Sequence, residues 1–208
     1  LKKAAHYQPD DNIQKELGKV HLKLADSERN AKDALALVEK SKKCYLRAWN
    51  LNALDPETAY GLAMAETRLD YLYKYLHPAK KRGEFGGAGS YTPLPYYKQA
   101  IRLRPNGLSY HYALARYLHI QGKEDELLEV IRRLARICPR SYYYLKKEKF
   151  WSQSLEESCK KGLYEAVRNK VSLRHAHIAL SSIFAKDTDW AKALSHYQEA
   201  LTCEPFQN

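Results

Sequence analysis

The sequence contains no apolar run approaching the roughly 18 residues that a membrane-spanning helix needs, so nothing in these 208 residues is expected to cross a bilayer. It has four cysteines, Cys44, Cys138, Cys159 and Cys203. They are too widely spaced for a Cys-x-x-C metal knuckle or a disulfide framework. A free cysteine packs as a small hydrophobe, and these are read as inert thiols, with Cys159 on a core-facing position of its helix. One methionine and four phenylalanines stand against seventeen tyrosines. Much of the apolar surface therefore belongs to rings with a polar end, which suits a thin layered structure.

Signatures of chemistry are missing as well. The stretch AKKRGEFGGAGSYTP, residues 79–93, holds four glycines followed by Ser90. It lacks the Gly-Lys-Ser/Thr and the preceding strand of a phosphate loop, and it reads as a basic loop insertion. His175 and His177 are two apart, which on a helix turns them to different faces, whereas chelation wants i and i+4. His111 and His119 have no supporting cysteine or carboxylate cluster. Asp187 and Asp189 suit helix capping rather than acid–base work, and no Ser-His-Asp or Cys/His set can be assembled. No catalytic residue, metal site or cofactor is expected, and the chain reads as a non-enzyme, although a longer parent could be one.

What the chain does contain is an echo. In WAKALSHYQEALTCEP, residues 190–205, Ala193, Tyr197 and Ala200 share one helical face and Pro205 stops the helix. A large residue, a small one three later and a stop five after that recur as Leu1, Ala4, Pro9; Tyr45, Ala48, Ala53; Tyr97, Ala100, Pro105; Ile131, Leu134, Pro139; and Leu163, Ala166, Val171. The stops at 105 and 139, and again at 171 and 205, lie 34 apart; the longer spacings upstream imply insertions near 26–32 and 77–93. Residues 1–8 read as a half-unit. Helices are expected near 12–25, 33–52, 56–76, 94–104, 107–121, 123–137, 141–150, 153–170, 172–185 and 189–203. Ile13, Leu17, Val20 and Leu24 share a face of the first, and Gly122 turns the third hairpin.

A period near 34 with an Ala-x3-aromatic and a terminal proline resembles the tetratricopeptide repeat. Leu17-Gly18, Leu62-Ala63, Leu114-Ala115 and Leu180-Ser181 match that family's large-small pair, where two helices cross closely; Glu148-Lys149 departs from it. The resemblance implies one all-α domain over 1–208: a right-handed superhelical solenoid of about five helix-turn-helix repeats, and a piece of a longer protein. It also implies that ligand contacts come from first-helix positions lining a concave groove. By offset these are Lys15, Lys19, Tyr60, Met64, Tyr112, Arg116, His119, Lys146, Lys149 and His175, with Tyr143 beside them.

Lys+Arg 35 against Asp+Glu 24 gives +11, a balance that favours acidic partners. The expected function is a non-catalytic scaffold that holds an acidic protein or peptide in the groove, an anionic glycan being the other candidate ligand. Nucleic acid is not expected, because no base-reading code or basic helix stripe is present. The phrases YLRAWNLNALDPETAYGLA, GLSYHYALARYL and WAKALSHYQEALTCEPFQN also resemble repeat regions of bacterial O-antigen polymerase or ligase-type membrane proteins. That resemblance implies an accessory role on the periplasmic face of a membrane-anchored parent, with a cytoplasmic protein as the alternative.

Overall fold

Short polar side chains start the helices. The computed structural model describes residues 10–78 and 92–203. The Asp10 carboxylate accepts from the backbone N–H groups of Asn12 and Ile13 and opens α1 (Asp11–Ser27). Asn30 accepts from Lys32 N–H and opens α2 (Ala31–Leu51). Asp55 accepts from Glu57 and Thr58, with Pro56 at the first position of α3 (Pro56–Leu76). Then follow α4 (Pro93–Leu103), α5 (Leu108–Ile120) and α6 (Glu124–Ile137). A 3-10 turn at Pro139–Ser141 leads into α7 (Tyr142–Leu145), α8 (Gln153–Arg168), α9 (Leu173–Lys186) and α10 (Trp190–Thr202). Among the described residues there is no strand, and the all-α expectation holds. Both α4 and α6 end two residues before a proline, Pro105 and Pro139, because proline disfavours helical backbone in the residue before it.

The chain divides into two compact units, Leu1–Ala113 and Leu114–Asn208. In the first, α1 and α2 are antiparallel. The Ser41 hydroxyl donates to the Gly18 carbonyl at 2.8 Å, and the Asn52 amide donates to Asp11 at 3.0 Å. The Tyr45 ring lies between two glycines, one on each flanking helix: Gly18 of α1 and Gly61 of α3. Around it pack Leu22, Ala25, Val38, Leu62, Ala65 and Leu69. Buried Tyr97 joins α4 to α3 through Thr67, 3.1 Å away, and the Met64 sulfur, 3.4 Å away. The extra length near 26–32 is helix rather than loop. Asp26 and Ser27 belong to α1, and only residues 28–30 separate it from α2.

In the second unit the expected helix 141–150 shrinks to the 3-10 turn and the single turn of α7. The physical reason lies in its crossing position. Glu148-Lys149 offers neither a large residue to bury nor a small one to admit a neighbour, and Lys149 is exposed. Gly162 supplies the close approach instead. A β-carbon there would collide with the Arg132 carbonyl, so α8 lies directly on α6. The two run in the same direction: Ser154 donates to Glu124 and Ser158 to the Leu128 carbonyl. Helices α8 and α9 are joined by the buried Glu156 carboxylate, which accepts from Lys186 at 2.7 Å and from the Trp151 indole at 3.3 Å.

On α10 only Ala193 and Ala200 are buried. Tyr197, expected beside them in the core, is 52% exposed. With exposed Trp190, Leu194 and Leu201 it forms a stripe that flanks the buried alanines and is left uncovered. The same holds on α1, where the stripe Ile13, Leu17, Val20 and Leu24 is exposed while Gly18, Leu22 and Ala25 are buried. The half-unit at 1–8, Pro9, the glycine stretch at 79–91 and Pro205 lie outside the described residues.

Candidate functional site

Helices α1 and α3 run side by side in the first unit, held by ion pairs. Lys15 meets Asp55 at 3.0 Å, Lys19 meets Glu57 at 3.3 Å, and Arg68 pairs with Asp26. Beside this ladder is a hollow of about 460 Å³. Its floor is apolar and aromatic: Leu22, Tyr45, Tyr60, Gly61, Met64 and Tyr110. Tyr60 and Tyr110 place their ring centroids 4.9 Å apart, and Tyr60 also meets the Tyr97 ring at 6.3 Å. Such tilted contacts fix the rings without an unsatisfied polar group. Around the floor stand Lys19, Lys23, Arg68 and Arg104, against Asp26 and Glu57.

The electrostatics follow from the pairing. Glu57 serves three cations: Lys19 at 3.3 Å, Arg104 at 3.8 Å and Lys15 at 3.9 Å. Burial alone would push the Asp55 carboxyl up, but hydrogen bonds from Thr58 and Lys15 outweigh it and hold the group below the usual carboxylate range. The hydrogen bond to Glu16 holds the Lys19 ammonium above its ordinary value. Burial pushes the Tyr45 and Tyr110 hydroxyls up and the Arg68 guanidinium down. Lys23 is exposed at the rim and makes no ion pair among the described residues. These carboxylates are tied to cations or helix starts, so the arrangement can bind and orient a ligand. Among the described residues no three His, Cys, Asp or Glu side chains come together in a way that would hold a metal ion.

Three residues expected from the sequence line this hollow: Lys19, Tyr60 and Met64. Lys15 is instead a strut, with only 13% of its side chain exposed against Asp55. Tyr112 is half-buried and does not line the hollow. The other five lie in the second unit. Arg116 pairs with Glu148 at 2.6 Å, and His119 stacks on Phe150 at 4.8 Å. Lys146 sits over the Tyr142 and Tyr143 rings, at 5.1 and 4.9 Å. Neither Lys146 nor Lys149 is a first-helix position, because α7 ends at Leu145. His175 bonds Ser172 at 3.1 Å, and burial holds its imidazole below the ordinary value.

Sequence reasoning missed Lys23, Asp26, Glu57, Arg68, Arg104, Ser109 and Tyr110. For two of these the signal was present, since Lys23 and Arg68 stand one turn beyond Lys19 and Met64. It also missed the pair His177–His196, whose Nδ1 atoms are 3.1 Å apart across α9 and α10.

The described residues therefore form two all-α units of packed helices. No family model matches the sequence, and no curated protein does. Among solved structures the chain is similar to a MamA RS-1 ArsTM double mutant, with 16% identity, a TM-score of 0.45 and 92% of each chain covered. It is also similar to a human IFIT1 dimer with m7Gppp-AAAA, with 20% identity, a TM-score of 0.40, and 94% of this chain against 51% of that one. The O-antigen polymerase or ligase resemblance gains no support from the comparisons.

Proposed function

We propose that the protein is an interaction scaffold and that the hollow of its first unit holds an extended acidic segment of a partner protein. The observation that carries this reading is the composition of the hollow. Four cations face two carboxylates around a floor of tyrosines and one methionine. Such a site seats one apolar or aromatic side chain on the floor while flanking carboxylates meet the basic rim. The internal carboxylates Asp26 and Glu57 disfavour a continuous phosphate backbone, which would bring several further negative charges past them.

A peptide library displayed on phage, selected on the full chain, tests this. The selected sequences should place aspartate or glutamate around an aromatic or aliphatic anchor. Fluorescence titration should show their binding weakened by Arg104→Glu and by Lys23→Glu, and weakened again by added salt. A neutral or basic consensus, or peptides that bind both variants as well as wild type, would remove the assignment. Tighter, equally salt-sensitive binding of a single-stranded RNA oligonucleotide would overturn it in favour of nucleic acid.

A further inference from the structure

We propose that a second hollow, between α6 and α8, is a binding site for a small phosphate-bearing anion. It belongs to the second unit and is independent of the tyrosine-floored groove. Arg132, Arg133 and Arg136 face it from α6, and Arg168 faces it from α8. Arg136 stands four residues from Arg132 and three from Arg133, so it neighbours both along α6. The contact at Gly162 brings the two faces together, because α8 has no side chain there to hold α6 away. The hollow is about 320 Å³, room for roughly ten waters at about 30 Å³ each.

Two carboxylates share the site, Glu129 and Glu165, so the four guanidiniums leave an excess of two positive charges. Glu165 accepts from Arg132 through both Nε and a terminal nitrogen, and stands 3.7 Å from Arg136. That clasp forms one wall. Arg133 and Arg168 make no ion pair among the described residues. The Nε of Arg133 is buried and has no hydrogen-bond partner. Leaving such a donor unmet is costly for a charged group.

The ends of α6 and α8 both point here, and their terminal carbonyls offset about one charge of the excess. That places the ligand at the guanidinium tips rather than against the helix ends. One carboxylate supplies a single negative charge. The roughly one charge left over is met by either; a phosphate monoester brings about −1.5 to −2 on one tetrahedral head. Its oxygens also suit the forked donors of several arginines at once.

Calorimetric titration of the full chain with inorganic phosphate and with diphosphate, against acetate at matched ionic strength, tests the assignment. Both phosphates should bind at least roughly tenfold more tightly than acetate. Arg133→Gln and Arg168→Gln should each weaken that binding roughly tenfold, while Lys43→Gln, at an exposed position of α2 outside both hollows, leaves it unchanged. Arg168 is exposed, so its variant should keep the wild-type melting temperature in anion-free buffer and serve even if the Arg133 variant loses stability. Equal binding of acetate and phosphate, or unaltered phosphate binding in Arg168→Gln, would overturn the proposal.

Discussion

The ring of Tyr45 fills the space that a β-carbon on Gly61 would occupy. Any side chain at 61 would lie within the van der Waals surface of that ring. Gly18, on the opposite side, is slightly less tight, its virtual β-carbon 2.8 Å from the same ring. Three helices of the first unit are thus registered by one tyrosine and two residues that lack a side chain. Gly61→Ala should cost about 1–3 kcal/mol of stability, as overpacking does, and Tyr45→Ala about 3–5 kcal/mol as a cavity. Thermal unfolding measures both. A Gly61→Ala protein as stable as wild type would mean that the ring is free to move aside.

A second prediction concerns backbone strain. Gly122 closes α5 at φ +67, with Lys123 N–H donating to the Leu118 carbonyl and Gly122 N–H to that of His119. Thr188 closes α9 by the same pattern, through the carbonyls of Phe184 and Ala185, at φ +60. A β-branched residue is disfavoured in that left-handed region. Thr188→Gly should therefore stabilise the protein by up to about 1–2 kcal/mol, visible as a raised Tm. Gly122→Ala should do the reverse.

The pair His177–His196 makes the packing of α9 and α10 pH-dependent. Burial holds both imidazoles below the ordinary value, the charge of His177 adds to this at His196, and Glu199 opposes it at both. Tyr164 from α8, Phe184 from α9 and Lys192 from α10 complete the surroundings. A histidine with a lowered folded pKa contributes stability above its unfolded value, near 6.5, and that stability is lost as pH falls through the folded value. Denaturant unfolding at pH 7.5 and at lower pH should show the loss, and His196→Gln should flatten it. An unchanged slope in that variant would assign the effect to other groups.

Lys15 was expected on the ligand-binding face, but its pairing gives it a structural role. Lys15→Ala would leave the Asp55 carboxylate, 14% exposed, without its cation. The expected cost is about 1–3 kcal/mol with little change in peptide affinity. Because the Asp55 carboxyl is lowered in the fold, its contribution is present above the unfolded carboxylate value and disappears on acidification through the folded one. Chemical unfolding and the peptide titration together separate stability from binding.

The helices were largely legible because their signals are local. Asp10, Asn30, Asp55, Gly122, Pro105 and Pro139 mark their ends through the chemistry of one or two residues. Glu148-Lys149 marked the weak helix at 141–150, but what replaces its packing was not legible, since that depends on Gly162, which lets α8 lie directly on α6. The exposure of Tyr197 was hidden for a similar reason: an amphipathic face shows which residues share a side, not whether a neighbour covers it. Three floor and rim residues of the groove follow from repeat offsets. Arg104 and Tyr110, which join it from around a proline turn, share no helix face with those three. The arginine hollow arises only when α6 and α8 are brought side by side.

The charge ladder along α1 and α3 also bears on how any ligand is held. Asp26 and Glu57 already occupy the cations that a visiting carboxylate would seek. They act as tenants that keep Lys19, Arg68 and Arg104 extended and in place before anything arrives. Binding at Lys19, Arg68 and Arg104 is then an exchange of one carboxylate for another, and the net gain in ion pairs comes from exposed Lys23, which has none to give up among the described residues. Discrimination among acidic segments falls to the shape of the tyrosine floor, and a departing ligand is readily replaced by the protein's own side chains.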